Sequence, residues 1–184
     1  MKRLIASFLL LIGLLYPFAV YYGLEYISPR FFALILGGLW GMRAVFSSEQ
    51  LGNRWQATAL VVFCVVLFIF DSPQLLHWYP VLVNMLLLTI FIISLYSGRP
   101  IIERLARLNE VNLPAHAIVY TRKVTKVWAV FFLFNALVAA ALTLWAPLSW
   151  WMIYNGCIAY ILIGLLFAIE WLVRQRVKNA YELD

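Results

Sequence analysis

The chain has 184 residues, 65% of them apolar and only 12% charged, with a mean hydropathy of +0.91. Soluble domains are about 45–50% apolar and about 25% charged, so this composition excludes a domain that covers its surface with polar groups. Two Cys, seven Pro and nine Gly exclude a disulfide framework, a collagen-like fibre and a disordered chain.

A helix needs about 20 largely apolar residues to cross about 30 Å of hydrocarbon, and six segments meet or approach that. The first is Leu4–Tyr22, after Met1-Lys2-Arg3. It has no small-x-small cleavage pattern before Tyr21, so an uncleaved first helix is expected and not a signal peptide. The second and third, Phe31–Phe46 and Trp55–Phe70, are shorter. Trp78–Tyr96 is the fourth, Val124–Ala146 the fifth and Ser149–Val173 the sixth. The expected fold is therefore all-α: a single polytopic domain, a bundle of six transmembrane helices.

Threading six spans in turn puts thirteen of the fourteen Lys and Arg, all but Arg30, on the side that holds both termini. Basic loops stay in the cytoplasm, so both ends are expected there, in a bacterial inner membrane. The net charge of +6 then reflects membrane orientation and attraction to anionic lipid, and no nucleic-acid partner is implied. Trp78, Tyr79, Trp145, Trp150 and Trp151 fall at the outer boundary, with Trp55, Trp128 and Trp171 near the inner one. Indole rings at headgroup level form such belts.

Only the inner connection 97–123 is long enough for structure of its own. Arg99–Asn109 reads as a short interfacial helix, with Pro100 at its start and Ile101, Leu105 and Leu108 at i, i+4, i+7. Glu103, Arg104 and Arg107 fall on the opposite side. With Arg99 they make a candidate surface for lipid phosphates or for an inner-membrane or cytoplasmic partner, the alternative being a plain structural elbow.

Polar groups at membrane depth are the usual functional pointers. Asn84 and Asn135 sit near the centres of the fourth and fifth spans, at matching depth, so they can pair. Asn155 lies in the outer half of the sixth. Arg43 and Glu170 lie about a turn inside their helix ends, and Arg174 stands at i+4 from Glu170, an ion-pair spacing. Gly37 with Gly41, Ala136 with Ala140, and Gly164 with Ala168 are small pairs suited to close helix packing. Cys64 and Cys157 read as small buried hydrophobes.

No catalytic set emerges. His77 is at the outer boundary and His116 in the inner loop, about a bilayer of 30 Å apart, so they cannot share a metal. Neither has the Asp five residues on that an HxxxxD box needs, since Leu82 and Thr121 stand there. HExxH, P-loop and GxSxG patterns are absent. The expectation is a protein that is not an enzyme and takes no cofactor or metal. A permease or flippase is the alternative, though no acid lies at mid-depth.

Ser97-Gly98-Arg99-Pro100-Ile101-Ile102-Glu103-Arg104 resembles the Lys-Pro-Leu-Ile-x-Arg motif of the intracellular septation protein A family, small proteins of the bacterial inner membrane. Leu113-Pro114 and Trp128-Ala129-Val130-Phe131-Phe132 resemble that family's Leu-Pro and Trp-Ala-x-Phe-Phe positions, and the hydrophobic layout matches over nearly the whole chain. Two positions depart: Ala139-Ala140 stand where the family has Asn, often Asn-Glu, and Tyr154-Asn155 where it has Phe-Lys. The resemblance implies a role in envelope upkeep and division, with no catalytic residues to carry over. The chain also resembles membrane proteins encoded beside aryl-polyene and fatty-acid-type synthesis genes, which implies an accessory role near lipid-linked product assembly.

Overall fold

A computed structural model describes residues 16–23, 28–46, 54–108 and 112–182, with no side chain described at 36, 39–46, 54–61 or 178–182. Every regular element among the described residues is helical. The chain divides into two compact units, Met1–Tyr79 and Pro80–Asp184.

In the first unit, α1 covers residues 16–23, α2 Pro29–Phe46, α3 Arg54–Phe70 and α4 Pro73–His77. Most of the expected first span therefore lies outside the described residues. The expected second and third spans coincide with α2 and α3. At 17–18 residues, these helices are about 26 Å long at 1.5 Å per residue, shorter than the hydrocarbon thickness. They run antiparallel, with Gly37 opposite Cys64 and Arg30 opposite Asp71. A Cβ at Gly37 would come within 3.3 Å of the Cys64 Cβ, so the glycine lets the two backbones approach. Asp71 ends α3 at φ 47°, a left-handed conformation that short polar side chains tolerate. Its carboxylate accepts from the Arg30 backbone N–H at 3.2 Å and pairs with the Arg30 guanidinium at 3.4 Å. The buried Tyr16 hydroxyl donates to the Leu76 carbonyl at 2.8 Å, tying α1 to α4, and its ring lies 4.5 Å from Tyr79.

The second unit contains most of α5 (Tyr79–Tyr96), then α6 (Ile101–Ala106), α7 (Ala115–Trp145), α8 (Leu148–Ile153), a π turn over Tyr154–Ile158, and α9 (Ala159–Glu182). Among the described residues, three helical stretches are long and apolar enough to cross a membrane: Pro73–Tyr96, Ala115–Trp145 and Leu148–Val177. They correspond to the expected fourth, fifth and sixth spans. The last two overrun their expected inner ends. Pro114 and Pro147 are the only prolines bounding α7, and nothing between them breaks a helix. The stretch 116–126 stays helical although Arg122, Lys123 and Lys126 interrupt its apolar run.

Burial in this unit is inverted relative to a water-soluble domain. Val130, Leu137, Phe134, Ile161 and Leu165 are exposed, whereas Asn84, Asn135, Asn155, Thr125 and Glu103 are buried. The apolar centre is Leu88, Phe91, Val124, Trp128, Ala129 and Phe132. Trp128 stacks 4.7 Å from Phe167 and 5.7 Å from Phe132. Trp128 and Trp151 are thus core residues, 5% and 1% exposed, and not belt residues as expected; Trp145, Trp150 and Trp171 are exposed. Ala136 is buried at a helix contact, but Gly164 and Ala168 face outward, so among the described residues of this unit that small pair packs no helix. Cys157 is likewise exposed, while Cys64 is buried; both are free thiols.

Candidate functional site

The second unit holds two polar clusters, one towards each end of its long helices. The first begins at Tyr154. Its hydroxyl donates to Asn135 Oδ1 at 2.7 Å, Asn135 Nδ2 donates to Asn84 Oδ1 at 2.9 Å, and Asn84 Nδ2 donates to the Pro80 carbonyl at 2.8 Å. All three side chains are buried. Their positions along α5, α7 and the π turn put them within about 15 Å of the Trp145–Leu148 end at 1.5 Å per residue. The expected pairing of Asn84 with Asn135 is observed. Sequence reading missed Tyr154, which closes the chain at its other end; within an apolar run, an aromatic side chain gave no sign of a polar role. Asn155 does not join. Its Nδ2 donates to the Trp151 carbonyl of its own helix at 2.9 Å, inside the π turn. The hydrogen bonds all run in one direction, so each polarises the next.

Towards the other end, Gly98 at φ +80° turns the chain from α5 into α6. The backbone there is left-handed, which glycine adopts without strain. Buried Ser94 accepts from the Ile101 N–H at 3.2 Å and donates to the Phe91 carbonyl at 2.7 Å, so α5 supplies the cap for α6. The six residues of α6 are fewer than the expected Arg99–Asn109 helix, Pro100 is its cap rather than its first residue, and Asn109 lies outside the described residues.

The expected arrangement of charges on α6 also needs correction. Arg99 and Arg104 are exposed, but Glu103 is 3% exposed and turned inward. Both Nε and Nη2 of Arg107 bond to Glu103 Oε1, at 2.9 and 2.8 Å. Ile101 and Ile102 sit against the apolar core, which fixes the roll of α6, and Glu103 next to them is buried with Arg107 as its partner. Leu105 and Leu108 remain exposed, as an interfacial face requires. Arg104 is partly committed, donating to the Arg99 carbonyl at 2.9 Å and to Ser97 Oγ at 3.2 Å. The Arg43 side chain lies outside the described residues.

Between α6, α7 and α9 lies an open cavity of about 500 Å³. Its lining joins apolar Ile102, Val124, Trp128 and Phe167 to polar His116, Tyr120, Glu170 and Arg174. Tyr120 donates from its hydroxyl to the Glu170 carbonyl at 3.1 Å and lies 3.3 Å from Oε1 of the same residue. Arg174 Nε stands 3.6 Å from Glu170 Oε1, the i,i+4 pair expected from spacing, with Glu170 16% and Arg174 56% exposed.

No family model, curated protein or solved structure matches the chain. Among the described residues no three His, Cys, Asp or Glu side chains are grouped to hold a metal ion. The arrangement offers one sealed amide chain and one open amphipathic cavity.

Proposed function

We propose that the protein is a non-catalytic accessory or scaffold of the bacterial inner membrane. It crosses the membrane six times with both termini in the cytoplasm, and it serves envelope maintenance or division through contacts with other envelope proteins. The observation that carries this reading is the closed chain Tyr154–Asn135–Asn84–Pro80. A transport path needs polar groups left over for its cargo, whereas these amides are used on each other. Interhelical bonds of this kind hold helices together in lipid. Exposed Arg99 and Arg104, beside exposed Leu105 and Leu108, support a contact surface at the cytoplasmic face.

Cysteine accessibility tests the reading in a Cys64→Ala, Cys157→Ala background. Leu88→Cys and Ala139→Cys, both buried and near the amide chain, should resist a water-soluble maleimide in intact membranes. Gln175→Cys, exposed at the cavity, should react. Labelling at both buried positions would mean a wet path through the unit and would favour a permease. Reporter fusions to the two ends should give the same compartment.

A further inference from the structure

We propose that the cavity between α6, α7 and α9 binds one phospholipid of the phosphatidylglycerol type, its phosphate against Arg174 and one acyl chain over Phe167 and Trp128. Depth is the first ground. Counting twenty residues, about 30 Å of helix, from the Trp145–Leu148 end reaches Lys126 on α7 and Phe167 on α9. Trp128 and Phe167 thus lie at the edge of the hydrocarbon. Tyr120, Glu170 and Arg174 lie one to two turns beyond it, at headgroup level. Aromatic lining at that boundary and charged lining beyond it match the profile of a lipid entering its headgroup zone.

Size and chemistry narrow the occupant. About 500 Å³ lies within the range of about 300–1,000 Å³ for small-ligand sites. It accommodates a headgroup and part of one chain, and Phe167, 58% exposed, leads outward to the surrounding lipid. Arg174 presents a planar fork suited to phosphate, and its contact with Glu170 is a loose one, Nε to Oε1 at 3.6 Å. The Glu170 carboxylate is held by Tyr120 and Arg174, which limits its repulsion of an anion, and it can accept from a headgroup hydroxyl. A headgroup with an acceptor phosphate and donor hydroxyls satisfies both side chains. A choline headgroup has no donor for Glu170. The exposed Arg122 and Arg176 add positive charge in the same layer. This occupancy does not depend on which proteins the chain serves.

The test uses the full chain in a neutral maltoside detergent, titrated with phosphatidylglycerol and followed by native mass spectrometry. One lipid per chain should bind first and most tightly. Arg174→Gln, at an exposed position that tolerates the change, should weaken it at least about tenfold, the loss of one charge-assisted contact. Phe167→Ala should weaken it as well, and Lys123→Gln, the same charge change on α7, should not. Equal binding by wild type and Arg174→Gln would overturn the site. So would equal binding of phosphatidylcholine, and so would displacement of the lipid by inorganic phosphate, which would assign the cavity to a soluble anion.

Discussion

The two polar clusters of the second unit are made from similar parts and behave oppositely. Each has a tyrosine hydroxyl reaching across helices, Tyr154 to α7 and Tyr120 to α9. At Tyr154 the acceptor is a buried amide whose remaining groups are also bonded within the protein. At Tyr120 the acceptor is the Glu170 carbonyl, beside a carboxylate that is shared with a half-exposed arginine at a cavity. The difference is access to an alternative partner. A group sealed among helices loses its bond outright when the partner goes, whereas a group at headgroup level can turn to water or lipid.

The largest effect should come from Asn135→Leu. Asn135 serves two partners, so its loss leaves Asn84 Oδ1 without its donor and the Tyr154 hydroxyl without its acceptor. We expect the unit to lose about 2–3 kcal/mol, in the range for orphaned buried polar groups, measured by denaturation in mixed detergent micelles. A loss below about 0.5 kcal/mol, the size of an ordinary surface change, would mean that water reaches the chain and that the contrast with the cavity is false.

A paired test sharpens the contrast. Tyr154→Phe and Tyr120→Phe remove the same atom. The first should cost about 1–1.7 kcal/mol, above the average of about 0.6 for bonds between membrane helices and up to their maximum, because the acceptor is sealed. The second should cost less, about 0.5 kcal/mol or under, because Glu170 keeps Arg174 and solvent. Equal costs would show that both hydroxyls see the same surroundings.

Much of this architecture was legible in the sequence, and the failures share a cause. Apolar run length placed the helices around Asn84, Asn135 and Asn155, and depth alone paired the first two. Run length carries no information about rotation around the helix axis. It therefore could not tell that Glu103 points inward, that Trp128 and Trp151 are buried, or that Gly164 faces outward. Those outcomes depend on the Gly98 turn, which sets the roll of α6, and on how α7 and α9 settle against each other. The π turn at Tyr154–Ile158 was also invisible, since Tyr-Asn-Gly-Cys-Ile reads as an unremarkable helical stretch. The length of α7 was missed for a different reason. Arg122, Lys123 and Lys126 interrupt its apolar run, and hydropathy does not report on a helix that continues through such charges.

The smallest effect on stability should be Arg174→Gln, and it separates folding from binding. Arg174 is 56% exposed, and its contact with Glu170 is 3.6 Å, a loose i,i+4 pair. Pairs of this kind contribute about 0–1 kcal/mol and are screened by salt. In lipid-free detergent the variant should unfold within about 0.5 kcal/mol of wild type, the scale of an i,i+4 pair. In micelles containing phosphatidylglycerol the gap should widen, because only the wild type keeps the bound lipid, which stabilises the folded state by mass action. A gap already large without lipid would make Arg174 a structural clamp. The open end of the unit would then resemble the sealed one, held by its own contacts and in no need of an occupant.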